Sequence, residues 1–196
     1  GDAVLLQVDP MNTLMDTTSI KNGKFSFKKN LHQEEWFKLK FYDGSSIDLL
    51  VKPGEKIYIT FEQEKLQITG SAGTSKLIDI DNSLLKLTTF RDSITSELQE
   101  LKGDKEYENK VYVYRELFYN KLDAHRNFLK DFIKKNENSK ASLIALFQQY
   151  GNASPVLTID QDLDEFENVV QNLKTYFPES NYIEILEEQI QIMKPL

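Results

Sequence analysis

With 196 residues, 40% of them hydrophobic and 11% aromatic, the chain is long enough for one good core or two small ones and too apolar for a disordered segment. It has no apolar run near the ~20 residues of a membrane span, and no signal peptide is visible. The lack of cysteine excludes disulfides, thiolate metal sites and Cys nucleophiles, while His32 and His125 lie too far apart in sequence to suggest a dyad or a zinc site. The formal charge of −7 is uneven: residues 1–70 carry 9 Lys/Arg against 10 Asp/Glu, residues 71–159 carry 13 against 12, and residues 160–196 carry 2 against 9. No basic stripe compensates for that acidic end, so nucleic acid is not an expected partner, and the excess reads as a solvated helix face.

Up to about residue 70 the apolar spacing is mostly two, the period of a strand with one buried face. Short strands are predicted at Val4–Val8, around Leu14, at Gly23–Lys29, Trp36–Tyr42, Ile47–Val51, Lys56–Phe61 and Leu66–Thr69. Asn22-Gly23 and Asp43-Gly44 supply residues tolerant of positive φ, and Pro53-Gly54 forms a further turn. Successive hairpins imply an antiparallel sheet, and about seven such strands should curl into a small β-sandwich or open barrel.

From Gly70 onward the period becomes helical. Gly70-Ser71-Ala72-Gly73-Thr74-Ser75 reads as a linker, with Thr74 or Ser75 as N-cap of a helix carrying Leu77, Ile80, Leu84, Leu87, Phe90, Ile94, Leu98 and Leu101. Lys102-Gly103 ends it. A second long helix from Asp104 to Asn136 has the stripe Tyr107, Val111, Tyr114, Phe118, Leu122, His125, Leu129 and Phe132, so the two should form an antiparallel hairpin. Asn138-Ser139 is placed to cap a shorter helix through Phe147 to Gly151, and Ser154-Pro155 to start a loop or single helical turn. Asp162 and Glu165 have capping-box spacing for a helix through Phe177, and Pro178 and Ser180 open a last one to about Met193. The expected class is α+β: a β-sandwich domain over residues 1–70 and an all-helical domain over 71–196.

Candidate sites are few. Asp160, Asp162 and Asp164 alternate like the start of a calcium loop, but Glu165 stands where glycine is needed and Gln171 where a bidentate glutamate belongs, so a helix N-terminus explains them better. The glycines around Ser71 lack the spacing and the Gly-Lys pair of a phosphate loop. His125 falls on the apolar stripe and reads as a hydrogen-bonded core residue, and His32 sits in a hairpin loop. Trp36, Tyr112 and Tyr119 are the candidate ligand or partner surface; for all three, packing against a neighbouring element is the competing explanation. No catalytic, cofactor-binding or metal-ligating set is assigned, and no cofactor is expected. A hydrolase using paired carboxylates is disfavoured, because the acidic residues cluster at helix starts and faces.

Several segments resemble a known family. Asp16-Thr17-Thr18-Ser19-Ile20-Lys21-Asn22-Gly23-Lys24-Phe25-Ser26-Phe27 resembles its "nGkFsF" hairpin, Leu50-Val51-Lys52-Pro53-Gly54-Glu55-Lys56-Ile57 its "pGe" turn, and Ile68-Thr69-Gly70-Ser71 the strand that closes its sheet. Phe132–Ser142 is similar to its "fi..npnS..s" helix break, with Glu137 where proline is usual, and Phe177-Pro178 with Ser180–Tyr182 resembles the lead into its last helix. The family is a domain of unknown function found N-terminal to thioredoxin-like domains in periplasmic or lipid-anchored proteins of Bacteroidetes.

The resemblance implies a non-catalytic accessory module, not an enzyme in itself, that positions or presents substrate to a C-terminal thioredoxin-like (thiol-disulfide oxidoreductase) domain or mediates association. It places the protein in the periplasm or cell envelope, lipid anchoring included, with the signal peptide removed and Gly1 a tag-cleavage scar. The chain runs to Lys194-Pro195-Leu196 without a cysteine, so no redox residue carries over. The alternative is an extracytoplasmic glycan- or peptide-binding protein. A monomer or weak homodimer is expected.

Overall fold

The computed structural model describes residues 2–8, 13–62 and 65–193, without the side chains of Glu62 and Asn181. Gly1 and Lys194-Pro195-Leu196 lie outside them.

The first half builds β1 (Asp2–Gln7), β2 (Leu14–Ser19), β3 (Glu35–Phe41) and β4 (Ser46–Val51), an antiparallel sheet of order β2-β1-β3-β4. The register sets Leu5 opposite Leu39 and Phe37 opposite Leu49, so the two-residue period gathers Ala3, Leu5, Phe37, Leu39 and Leu49 on one buried face. A separate hairpin, β5 (Tyr58–Glu62) and β6 (Lys65–Thr69), packs onto that face through the opposed pair Ile59 and Ile68. Among the described residues this half holds six strands, a four-stranded sheet and a two-stranded hairpin with no closed barrel, where about seven strands were expected.

The missing strand is Gly23–Lys29. Asn22 and Gly23 do adopt positive φ, and Lys21 and Lys24 close the turn with one bridge, but pairing stops there. Phe25 and Phe27 instead lie over the sheet, Phe25 edge-on to Phe41 at 5.6 Å, and the Lys29 ammonium donates to the Met15 carbonyl of β2. Alternating aromatics bury equally well as a lid, and burial is what their spacing encodes.

Helices α1 (Ala72–Glu100) and α2 (Tyr107–Lys135) make the expected antiparallel hairpin, turning at Gly103 with φ of 90°. Their stripes are deeply buried only near the sheet, at Leu77, Ile80 and Leu87 on one helix and His125, Leu129 and Phe132 on the other. α3 (Ala141–Leu146), α4 (Ile159–Tyr176) and α5 (Asn181–Met193) complete a core around Leu146, Leu157, Val169, Leu173 and Ile183.

Four local expectations change. Residues 70–75 are a docked joint and not a linker, with Ser71 as the N-cap accepting from the Thr74 amide. Ser139 sits one residue ahead of the N-cap position of α3, Lys140; its hydroxyl accepts from the Ala141 amide at 3.3 Å while donating to Glu34. Ser154-Pro155 is β8, paired with β7 (Gln149–Tyr150). α4 starts after Thr158, earlier than expected, and breaks at Asp162 (φ −129°, ψ 30°). The reason is that the Asp162 carboxylate is wholly buried, accepting from the Thr158 amide and pairing with Arg126 and Lys130 at 2.8 Å each. Burial alone would raise its pKa, but the Lys130 hydrogen bond, the Thr158 amide and the two cations hold it below the ordinary aspartate value. One member of the acidic segment is therefore core, not solvated face.

The two halves are bolted together at polar joints. Gly73 packs so closely on β4 that a Cβ there would stand 2.4 Å from the Leu50 carbonyl oxygen. The Ser71 hydroxyl donates to that oxygen at 2.6 Å, and the Leu50 amide donates to the Thr74 hydroxyl at 3.1 Å, so α1 supplies side chains where the edge strand lacks a neighbour. Glu55 accepts from the amides of Lys52 and Ala72, tying the Pro53-Gly54 turn to the start of α1. Glu34, also buried, accepts from the Ser139 hydroxyl and the Lys140 amide, and Lys140 pairs with Glu35 at 2.7 Å.

Candidate functional site

The second face of the sheet is only partly covered. Period two sets Trp36 and Lys38 of β3 there with Asp48 and Leu50 of β4, and Leu50 disappears under the helices. Beside it remains a cleft of about 490 Å³, floored by Trp36 and Asp48 and walled by α1, α3 and α5. Such a volume falls in the range of small-molecule or side-chain sites. Leu77, Leu143, Ile144 and Leu186 make the walls apolar; Phe147 and Ile185, 50% and 44% exposed, form the lip.

Its polar groups are unevenly satisfied. The Trp36 indole N–H donates to Asp48 Oδ1 at 3.1 Å, and Lys38 reaches the same oxygen at 3.5 Å. Asp81, one helical turn beyond Leu77, brings a second carboxylate to the cleft. Desolvation by the walls, and then the charge of Asp48, push its pKa above the ordinary aspartate value. Asp81 is nonetheless solvent-exposed, and among the described residues it forms no ion pair. Gln148, in the same wall, keeps its amide oxygen buried without a donor. The arrangement offers an apolar trough edged by two carboxylates, a shape suited to holding a ligand.

Of the three aromatics singled out from the sequence, the structure brings only Trp36 into this cleft. Tyr112 and Tyr119 lie on α2, 57% and 52% exposed; the Arg115 guanidinium stands 5.5 Å from the Tyr112 ring, and Tyr119 meets Phe118 edge-on at 6.1 Å. His32 is exposed, while His125 is buried with Nδ1 2.8 Å from the Ser83 hydroxyl and Nε2 unpartnered; desolvation lowers its pKa. Among the described residues no group of three or more His, Asp or Glu could hold a metal ion, and no helix is long and apolar enough to cross a membrane. Sequence reasoning missed Asp48, Asp81, Phe147, Gln148 and Ile185. The one available signal was a charge flanking an apolar stripe, as Asp81 flanks Leu77 and Ile80.

Residues 1–109 match the family model described as "Domain of unknown function (DUF4369)", which covers more than half of the chain. The chain belongs to that family. The matched region takes in the sheet, the β5–β6 hairpin, α1 and the first residues of α2, so its turn residues are those of the joint between β4, Glu55 and Ser71. No curated protein and no solved structure matches the chain.

Proposed function

We propose that this chain is a non-catalytic accessory module of the cell envelope that holds a short extended polypeptide segment and presents it to a thioredoxin-like domain. The observation that carries the binding part is the cleft beside Trp36, with aliphatic walls and an exposed apolar lip. Aliphatic walls suit peptide side chains better than a glycan, which needs a denser set of hydrogen-bonding partners. Support for the thioredoxin-like partner and for the periplasmic setting comes from the resemblance carried by the Asn22-Gly23, Pro53-Gly54-Glu55 and Gly70-Ser71 turns. Paired carboxylates also serve acid–base hydrolysis, but Asp48 is already engaged by Trp36 and Lys38, which favours binding.

Trp36 is the single tryptophan of the chain, so its emission reports on the cleft directly. Titration with unstructured peptides should give a saturable shift in that emission and a matching rise in Tm, whereas neutral oligosaccharides should give neither. Saturable oligosaccharide binding without peptide binding would overturn the reading. For the presenting role, fusing the module to a thioredoxin-like domain should speed reduction of a disulfide-bonded peptide that binds the cleft. Equal rates with and without the module would refute it.

A further inference from the structure

We infer that His125 is an acid-sensitive latch at the root of the α1–α2 hairpin: protonating its imidazole releases the distal parts of both helices, residues 88–124, while the sheet and the helical core stay folded. The boundary is drawn by burial. Leu87 is the last buried residue of α1 and His125 the first of α2, and from Thr88 through Ala124 no residue is buried. Helices owe most of their stability to packing, so this thinly covered stretch is the part of the hairpin most easily opened. His125 stands where it meets the core, 4% exposed, with its ring stacked on Phe128 at 6.1 Å. Leu77 and Asp81, which α1 contributes to the cleft, lie on the core side of the boundary.

The contact favours a neutral ring. Nδ1 meets the Ser83 hydroxyl of α1 at 2.8 Å, and Nε2 is buried with no partner among the described residues. Either neutral tautomer leaves one nitrogen unmet; the imidazolium adds a second N–H and a full charge to the same dry interface. No carboxylate compensates it. On α1, Asp79 and Lys86 lie one turn to either side of Ser83 and are exposed, and Asp81 lines the cleft. On α2, Lys121 lies over the Phe90 ring, Asp123 is exposed and Arg126 is bound to Asp162. α3 has no charged residue, and Asp162 and Glu165 of α4 are paired with Lys130. None of these groups acts on the imidazole, whose pKa is lowered by desolvation alone.

Amide exchange of the intact chain at pH ~7.5 and ~5, corrected for intrinsic rates, tests this, with His125 titrated in parallel by NMR. Residues 88–124 should be less protected than residues 129–133 at both pH values, as a separately opening unit. The opened hairpin holds a ring of ordinary pKa near ~6.5 and the closed one resists the proton, so distal protection should fall severalfold at pH ~5, with a ceiling of about thirtyfold. His125→Gln should abolish that fall. In the parent chain the fall should begin below pH ~6.5 and level off near the pKa that NMR gives for His125, a comparison that needs no variant. Equal protection on the two sides of the boundary would overturn the latch, because the hairpin would then open only with the whole chain. Distal protection independent of pH, a fall that survives His125→Gln, or one that begins well outside the range of the His125 titration would overturn the assignment to His125.

Discussion

Replacing Gly73 by alanine tests whether α1 is seated on β4, the contact that sets the cleft between sheet and helices. A Cβ at this position would lie 2.4 Å from the Leu50 carbonyl oxygen, 3.0 Å from Leu50 Cγ and 3.1 Å from the Leu50 carbonyl carbon. Restoring ordinary contact requires β4 or the helix to retreat by roughly 0.6–1 Å, an overpacking cost of about 1–3 kcal/mol. That retreat also stretches the Ser71–Leu50 and Leu50–Thr74 hydrogen bonds, which are buried and cost about 1 kcal/mol each when lost. Against this, alanine gains up to ~1 kcal/mol over glycine inside a helix. The net loss is about 2–4 kcal/mol, which for a chain of this size lowers Tm by roughly 5–15 °C. Circular dichroism melting measures it, and faster hydrogen exchange of the Leu50 amide localises it. An unchanged or raised Tm would show that propensity alone operates and that α1 does not rest on β4.

Asp162→Asn removes the negative member of a buried cluster and leaves Arg126 and Lys130 unbalanced; because both cations are partly solvated, the expected cost is about 2–4 kcal/mol by urea denaturation near neutrality. Since the folded pKa of Asp162 lies below its unfolded value, this stabilisation is present above the unfolded pKa and fades as pH falls through the folded one, so variant and parent should converge in strong acid. His125 has a depressed pKa from burial, so its contribution is complete above the unfolded value near ~6.5 and is lost as pH drops toward the folded one; His125→Gln should flatten the dependence of Tm on pH in that window. For Asp81 the sign reverses: its raised pKa means that stability present below the unfolded value is lost as pH rises through the folded one. Asp81→Asn should therefore melt higher than the parent at neutral pH, and a lower Tm would contradict the unpaired state of that carboxylate.

Alternation at Phe37, Leu39, Ile47 and Leu49, and the three-and-four spacing of Leu77–Leu101 and Tyr107–Phe132, determined by themselves that a sheet precedes a helical hairpin, because burying one face is a local demand that residue spacing records. Gly103 likewise announced its turn. Tertiary structure alone decided where those faces go. Phe25 and Phe27 have a strand's spacing yet act as a lid, since nothing in their order states whether a neighbouring strand is available for pairing. Asp162 looked like a helix start until Arg126 and Lys130, distant in sequence, were folded against it. The cleft was legible only through Trp36: Asp48, Asp81, Phe147 and Ile185 come from four separate elements or loops, and their proximity depends on α1 docking through Gly73 and Ser71 and on Glu34 binding the start of α3. Local patterns encode which side chains must leave water; which partners they then meet is a property of the assembled chain.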